Sequence, residues 1–463
     1  MTQIETPRTE LSTGKWKRYP DYIDSGVEWL GEIPEQWEMR RLKHLVTEAL
    51  KYGANEPAEL DDINLPRYIR ITDVDEMGSL RDDTFKSLPE DIARPYLLKE
   101  GDLLFARSGA TVGKSFMYQD SWGRACYAGY LIRARLNAFV AVPKFISYFT
   151  ASSIYWSWLA SVFSQATIQN VNAEKYSNLI IAVPPLHEQR IIATFLDRET
   201  AKISTLITKK EQMVKLLQEK RTALISHAVT KGLDSKVPMK DSGVEWIGEI
   251  PEHWEVRRLK YAATFFGGGT PSKDKLDYWS GDIPWVSPKD MKAEIIHDSE
   301  DHITSQAIED SSTRLIEPGA VLIVVRSGIL RHSIPVAINS LPIAINQDMK
   351  AVLTKPFLMR EYLALLIRGY QSVLLVEWRK EGATVESIEF ELLANTFFPI
   401  PPLPEQQAII SHLDQETAHI DALISRIRDG IEKLKEYSTA IISAAVTGKI
   451  DVRETIDDNP EQL

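Results

Sequence analysis

Basic and hydroxylic side chains follow short apolar runs in both halves of the chain, where a strand would end in a loop. Arg107 and Arg326 each come directly after such a run, and Ser108-Gly109 and Ser327-Gly328 follow them. A guanidinium in this place can fork onto a guanine edge or onto a phosphate. The alternative is an arginine that pairs with a carboxylate to close a hairpin, and the residues alone leave both interpretations open.

A glycine-rich stretch from Gly109 to Ser115 invites interpretation as a nucleotide-binding loop. It has three residues between its glycines where that loop needs four, and the second half offers no equivalent around Arg331. We therefore predict no ATP site here. The segment is better interpreted as a turn after a strand, from which Lys114 and Ser115 can meet DNA phosphate.

Further polar segments occupy corresponding places in the two halves and suit base edges or phosphates. The candidates are Arg70, Thr72, Tyr130, Gln165, Thr167, Gln169 and Asn170 in the first half, and Lys289, Arg331, Gln347, Arg379, Lys380 and Thr384 in the second. Amides in the first half thus correspond to cations in the second, and solvated loops are the alternative. Asp73 and Asp290, beside two of the candidates, are predicted to stabilise turns.

The residue types that most catalytic and metal sites need are absent or scattered. Cys126 is the single cysteine, which excludes an intramolecular disulfide and a cysteine-based zinc cluster. The nine histidines show no ligand spacing, and there is no Asn-Pro-Pro-aromatic motif of the adenine methyltransferases. We expect no catalytic residue, no metal and no cofactor in this chain.

The composition fits a globular protein of two or three domains, with 463 residues, 44% hydrophobic and 26% charged. No apolar run reaches the roughly 18 residues of a membrane span, and the polar N-terminus has no signal core, so we expect a cytoplasmic protein. The net charge of −11 argues against a protein that coats DNA by charge alone. A DNA-binding groove would have to concentrate its basic residues.

The chain is duplicated. Asp24 to Glu35 recurs at Asp241 to Glu252 with one Leu/Ile change, an offset of 241 − 24 = 217 residues. The Pro-Pro-Leu of 184–186 recurs at 401–403 with the same offset. Between these shared ends the halves diverge, which indicates a common scaffold that carries two different recognition surfaces. Drift after duplication is the alternative.

Each half has a mixed middle and a helical end, so we predict an α+β fold. Short apolar runs bounded by Pro, Gly and Asp predict strands, and two aromatic stretches have helical spacing. The predicted strands are Tyr68–Ile71, Leu103–Ala106 and Leu179–Val183, with Ile283–Val286 and Val321–Val325; the predicted helical stretches are Phe145–Phe163 and Phe357–Trp378.

A long helix should follow each proline pair, because an apolar residue recurs every seven positions and no proline interrupts the run. The stripes are Leu196, Ile203, Leu217 and Leu224 in the first helix, and Leu413, Ile420, Ile427, Leu434 and Ile441 in the second. Lys210 breaks the first stripe. Each helix should span about 60 Å. We predict that the two form an antiparallel coiled coil relating the halves by a pseudo-twofold axis; a generic dimerising coiled coil is the alternative.

The segment DSGVEWLGEIPEQW, a strand that ends in PPLHEQ or PPLPEQ, and a long heptad helix, all present twice, resemble the specificity subunits of Type I restriction–modification enzymes. The resemblance covers about Asp24 to Asp451. It implies two target-recognition domains that each read one part of a split DNA sequence, and two helices that set the gap. The implied division is an N-terminal tail (1–23), a first recognition domain (24–185), a spacer helix (186–233), a second recognition domain (241–402), a second spacer helix (403–449) and a C-terminal tail (450–463).

The resemblance also implies partners for a non-catalytic subunit. These are double-stranded DNA, two modification (methyltransferase) subunits that use S-adenosylmethionine, and motor–nuclease subunits that use ATP and Mg²⁺; no membrane is involved. The acidity of the chain departs from what DNA binding suggests. An assembly or decoy protein that binds methyltransferase subunits without reading DNA is therefore a second hypothesis, and an ATP-driven enzyme is a third.

Overall fold

A computed structural model describes residues 16–75, 78, 80–109, 111–164, 170–382 and 384–455. The chain divides into two units. Unit 1 consists of Met1–Lys210 with Asp429–Leu463, and unit 2 is Glu211–Arg428. Each of the two longest helices therefore contributes one part to each unit.

Unit 1 is built around a four-stranded sheet of order β4-β9-β6-β7, with a separate parallel pair, β5 and β8. Its strands are β1 Tyr22–Asp24, β2 Glu32–Pro34, β3 Glu38–Arg41, β4 Lys51–Tyr52, β5 Arg67–Ile69, β6 Leu103–Ala106, β7 Ser115–Met117, β8 Ala125–Tyr127, β9 Leu131–Ala134 and β10 Ile180–Val183. Its helices are α1 Glu90–Ala93, α2 Pro143–Ala151, α3 Ser153–Ser164, α4 Ala173–Ser177 and the first part of α5 Leu186–Lys231.

Unit 2 has a five-stranded sheet of order β14-β21-β18-β19-β16 and a three-stranded sheet of order β17-β15-β20. Its strands are β11 Met239–Asp241, β12 Glu249–Pro251, β13 Glu255–Arg258, β14 Ala263–Gly267, β15 Ile283–Val286, β16 Ile295–Ile296, β17 Asp301–Ile303, β18 Val321–Val324, β19 Val336–Asn339, β20 Ala344–Ile345, β21 Met349–Thr354 and β22 Phe397–Ile400. Its helices are α6 Leu259–Ala262, α7 Ser305–Glu309, α8 Arg360–Gly369, α9 Gln371–Glu377, α10 Phe390–Asn395 and the first part of α11 Leu403–Val446.

The α+β prediction is confirmed, and most predicted strands lie within a residue or two of their expected bounds. Each aromatic stretch forms two helices rather than one. The first stretch breaks at Ser152, whose hydroxyl donates to the Phe149 carbonyl, and the second breaks at Tyr370. The proline pairs end β10 at Val183 and β22 at Ile400, because proline cannot continue a hydrogen-bonded ladder.

The long helices pack antiparallel in each unit. In unit 1 the beginning of α5, with Ile192 and Leu196, shares an apolar core with the end of α11, which contributes Ile441 and Val446. In unit 2 the end of α5, with Val229, shares a core with the beginning of α11. The predicted stripes lie on the inner side, where each residue is buried or half-buried. Lys210, which interrupts the stripe, extends over Gly430 of α11, and the missing side chain there leaves it room.

The repeated Trp and Glu of each half form a hydrogen bond that fixes the first turn of the long helix. The Trp37 indole N–H donates to Glu188 at 2.9 Å, and the Trp254 indole N–H donates to Glu405 at 2.9 Å. The next residue, Gln189 or Gln406, accepts from the backbone N–H of Val142 or Met359 at 2.8 Å. The PPL-x-EQ segments are therefore structural joints between sheet and helix.

Candidate nucleic-acid interface

The central strands of the two units have the same register, which establishes which residues correspond. Leu103 of β6 faces Ala134 of β9, and Val321 of β18 faces Val352 of β21, so both strands are related by 218 residues (321 − 103 and 352 − 134). The bridges Ser108–Asn170 and Arg326–Ser387 lie just beyond these strands. In backbone terms Arg326 therefore corresponds to Ser108, and Asp348 corresponds to Tyr130.

This register corrects two correspondences that the sequence suggests. The matching Arg-Ser-Gly triplets align Arg107 with Arg326 at an offset of 219 residues, and Tyr130 aligns with Gln347 at 217. Both alignments are one residue away from the strand pairing. Because successive strand residues point to opposite faces, Arg107 and Arg326 extend in different directions.

In unit 2 three loops meet beyond β18, and we call residues 326–331, 346–348, 379–382 and 384–389 the unit 2 loop cluster. The Arg326–Ser387 and Arg379–Ile388 bridges join the first loop to the third. The Arg326 N–H donates to the Asp348 carbonyl at 3.2 Å, which joins the first loop to the second. The structure thus brings together predicted residues that lie far apart in sequence: Arg326, Ser327, Arg331, Gln347, Arg379, Lys380 and Thr384.

Most of the cations in the unit 2 loop cluster lie 3.5–3.6 Å from a carboxylate oxygen, which is longer than a strong ion-pair contact. Arg331 and Arg379 lie 3.6 and 3.5 Å from Glu386, and their side chains are 68% and 64% exposed. Lys380 lies 3.5 Å from Glu389. Ion pairs this exposed contribute at most about 1 kcal/mol, so a phosphate can replace the carboxylate at little cost. A groove of about 280 Å³ runs beside Arg331, Arg379 and the exposed Val376.

Arg326 is held more tightly than these cations. Its Nε donates to Asp348 Oδ1 at 2.5 Å. The Asn346 amide donates to the other carboxylate oxygen at 3.3 Å, and the Asp348 backbone N–H donates back to the Asn346 side chain at 3.0 Å. Asn346 is buried, so this relay of three residues is anchored in the unit.

In unit 1 the corresponding loops contain residues 107–109, 128–130 and 170–173, which we call the unit 1 loop cluster. The Arg107 guanidinium lies over the Tyr52 ring at 4.9 Å, and the Tyr52 hydroxyl accepts from the Ala173 N–H at 3.0 Å. Within the described residues, Arg107 Nε and Asn170 Oδ1 are buried and lack a hydrogen-bond partner. Tyr130 is 68% exposed. This cluster offers an aromatic surface and amide groups where unit 2 offers charges.

Two turns lie next to the loop clusters because they follow the parallel strand pairs. Ile69 pairs with Tyr127, and Val286 pairs with Ile345. Asp73 accepts from the Arg70 N–H at 2.7 Å, and Asp290 accepts from the Ser287 N–H at 2.8 Å, which confirms both aspartates as turn stabilisers.

The basic residues of these turns already have carboxylate partners, and the remaining candidates have varied surroundings. Arg70 lies 2.7 Å from Asp73, and Lys289 lies 2.8 Å from Asp301, whose hydrogen bond raises the lysine pKa. Thr72 and Thr384 are exposed, and the Gln347 side chain accepts from Thr270. Gln165, Thr167 and Gln169 lie outside the described residues.

Residues 111–115 of the glycine-rich stretch form a packing turn beside β6. Gly113 has φ +88°, and a Cβ there would lie 2.1 Å from Leu159 of α3. Ser115 donates to Thr150 at 2.8 Å, whereas Lys114 is exposed at a cavity of about 360 Å³ that the turn residues Ile71 and Asp75 also line. Close packing therefore explains this glycine without a nucleotide.

The described residues contain no cluster of three or more His, Cys, Asp or Glu side chains able to hold a metal ion. Burial raises the pKa of the Cys126 thiol to about 12, so that it stays protonated at neutral pH and is a poor nucleophile. In the same part of the chain, no helix is both long and apolar enough to cross a bilayer.

Residues 34–216 and 251–433 each match a protein family described as the Type I restriction modification DNA specificity domain. The chain is 33% identical over 290 residues to the EcoR124I/EcoR124II specificity subunit of Escherichia coli, a match that covers 60% of this chain and 65% of that protein, just under two thirds of its length. It is 26% identical over 439 residues to the putative MjaX specificity subunit of Methanocaldococcus jannaschii, covering 92% of this chain and 96% of that one.

Two solved structures share the fold. A chain from a study of assembly and conformational transition in the type I R-M system has a TM-score of 0.66 at 20% identity, covering 89% of this chain and 98% of its own. The HsdS subunit from Thermoanaerobacter tengcongensis has a TM-score of 0.54 at 19% identity, covering 92% and 100%.

Proposed function

This chain belongs to the Type I restriction–modification DNA specificity family, and from that premise we propose that each of its units reads one part of a bipartite, asymmetric sequence in double-stranded DNA. The observation that carries the proposal is the pair of loop clusters. They stand beyond equivalent strands in the same backbone register, yet Tyr130 in one corresponds to Asp348 in the other. Unlike side chains read unlike bases, so the two half-sites should differ.

In this proposal the chain is a reader without a catalytic centre or cofactor of its own. Two modification subunits would bind S-adenosylmethionine and methylate adenine. Motor–nuclease subunits using ATP and Mg²⁺ would join them and cleave unmodified DNA. The chain would act in the cytoplasm, where bacterial and archaeal chromosomes lie.

We propose that α5 and α11 set the spacing of the half-sites and dock the modification subunits. Their heptad stripes are used in packing the helices against each other, which leaves the outer faces for partners. Met213 and Leu216 of α5 are exposed in unit 2. Adding one heptad to both helices lengthens each by about 10.5 Å, which corresponds to roughly three base pairs. The gap in the target should grow by that amount while the bases read stay the same.

Co-expression with the modification subunits, followed by genome-wide sequencing of methylated adenines, tests the proposal. We expect methylation at a single split motif whose two parts differ. Exchange of residues 24–185 for the recognition domain of another specificity subunit should change one part of the motif and leave the other intact. A purified complex that binds all DNA sequences equally would reject the proposal.

The carboxylates beside the basic candidates favour a second candidate function. In it the chain is an assembly or decoy protein that binds methyltransferase subunits without reading DNA. Asp348, Glu386 and Asp301 each lie beside a cation that could otherwise meet a phosphate, and the chain has a net charge of −11. If this hypothesis holds, the same domain exchange leaves the methylated sequence unaltered.

A further inference from the structure

The relay that holds Arg326 has a geometry suited to reading one base rather than to gripping the DNA backbone. Only the Nε of Arg326 is engaged, by Asp348 at 2.5 Å. Within the described residues, the two terminal amino groups of the guanidinium make no hydrogen bond, and the side chain is 54% exposed. Two parallel N–H donors at a fixed spacing match the O6 and N7 acceptors of guanine.

The charge of the relay favours a base over a phosphate. Attraction to phosphate depends on net positive charge, and the Asp348 carboxylate offsets the charge of Arg326 at hydrogen-bond distance. Guanine is neutral, so its hydrogen bonds to the guanidinium survive that offset. Arg331 and Arg379, which share the more distant Glu386, are better placed to bind phosphate.

The fixed orientation of the Arg326 guanidinium also favours a base over a phosphate. A phosphate accepts an arginine from many directions, whereas a bidentate contact with a base edge requires one plane. Asp348 fixes that plane from one side, and the buried Asn346 holds Asp348 in turn. A relay ordered before binding reduces the entropy lost when the contact forms.

We propose that Arg326 reads a guanine in the half-site of unit 2 and that Asp348 is its positioning residue. This inference rests on the proposed function of the two units. Unit 1 lacks the device, because Ser108 and Tyr130 occupy the corresponding positions. The two half-sites should therefore differ at this contact.

The test uses the full chain in complex with its modification subunits. The wild-type motif is determined first, and its unit 2 half-site must contain guanine. Substitution R326A should lower discrimination at one G·C pair of that half-site by about ten- to a hundredfold. The other half-site should stay strict. R360A, which removes a half-exposed arginine of unit 2 outside the loop cluster, is the matched control and should leave that G·C pair strictly read.

A modified base tests the contact in the unaltered protein. Replacing the chosen guanine by 7-deazaguanine removes N7 and should weaken binding by the wild-type complex about tenfold or more. The R326A complex should show no further loss with the same DNA. A full additional loss in R326A would mean that another side chain makes the contact, and would overturn the assignment.

Substitutions of Asp348 separate positioning from a merely structural role. In D348A, Arg326 loses its hydrogen bond to the carboxylate, and its positive charge is no longer offset. Discrimination at the same G·C pair should fall, while binding to unrelated DNA should rise and its salt dependence steepen by about one phosphate contact. In D348N, which keeps the acceptor oxygen, part of the discrimination should return. A loop that only needed Asp348 for folding would lose binding to all DNA alike.

The outcomes distinguish this inference from the proposed function. A wild-type complex without any split motif rejects the function and the inference together. A wild-type split motif that R326A leaves unchanged, or a unit 2 half-site without guanine, rejects the inference alone. Equal loss of affinity for all sequences in R326A would make Arg326 a phosphate contact and would also reject it.

Discussion

The two units make the same hydrogen bond at the start of their long helices and then differ about two and a half helical turns further on. Trp37–Glu188 and Trp254–Glu405 are equivalent at 2.9 Å. Yet Asp197 of α5 accepts from the Tyr148 hydroxyl at 2.6 Å and lies 3.1 Å from Lys144, whereas its counterpart Asp414 lies near two carboxylates, Glu294 and Glu361, as well as Arg368. The hydrogen bond at the start of the helix is thus the same in both units, while the charges beside the helix differ.

The largest expected effect on stability comes from removing the carboxylate of Glu188, which accepts the Trp37 hydrogen bond at the start of α5. Glu188 is 1% exposed and accepts from both Trp37 and Tyr19, so E188A leaves two buried donors without a partner. Unit 1 should lose about 3 kcal/mol of unfolding free energy. Hydrogen exchange of the unit 1 core in the full chain would measure this loss.

The matched substitution in unit 2 should be milder. Glu405 is 41% exposed, and water can replace it at Trp254 and His253. We expect E405A to cost about 1 kcal/mol. Equal losses in the two units would show that burial does not set the strength of the joint.

A substitution in the long helix α11 should have a smaller effect on stability. Gly430 lies within α11, where its counterpart in α5 is Met213, and a Cβ at Gly430 would lie 3.3 Å from the Lys210 Nζ. The lysine end is flexible and can move. G430A should therefore stabilise unit 1 by about 0.5–1 kcal/mol through helix propensity. Thermal unfolding measures the gain, and the double variant with K210A should retain it; destabilisation in both would mean that the backbones themselves are in close contact.

The smallest effects should have opposite signs. D197N weakens a favourable ion pair and should lower the stability of unit 1 by about 0.5 kcal/mol. The pKa of the Asp414 carboxyl is raised, by burial first and then by the charges of Glu294 and Glu361. The folded state thus favours the neutral form, and D414N should raise the melting temperature by about 1–2 °C at neutral pH.

The pH dependence checks the sign for Asp414. A carboxyl with a raised pKa in the folded state reduces stability above that pKa, and the reduction disappears as the pH falls below its unfolded value. The advantage of D414N should therefore vanish in acid. An advantage that grows towards acid pH would contradict the assignment.

The sequence was sufficient for the duplication, the α+β class and the heptad stripes, because each depends on periodicity that local physics imposes. Trp37–Glu188 was also within reach, since Trp254 and Glu405 have the same separation of 151 residues. The correspondence of Tyr130 with Asp348 could not be predicted from the sequence. The matching Arg-Ser-Gly triplets align Arg107 with Arg326 in sequence. The strand pairing shifts this alignment by one residue, and loops of different length account for the difference.

Unit 1 is assembled from two separate segments of the chain, Met1–Lys210 and Asp429–Leu463. Its core includes Ile441, Val446, Ile450 and Val452, while unit 2 is the uninterrupted segment Glu211–Arg428. During synthesis the second unit can finish folding while the first still exposes the apolar surface that the last residues will cover. A nonsense codon near position 428 would thus damage mainly unit 1, although most of that unit is synthesised before unit 2.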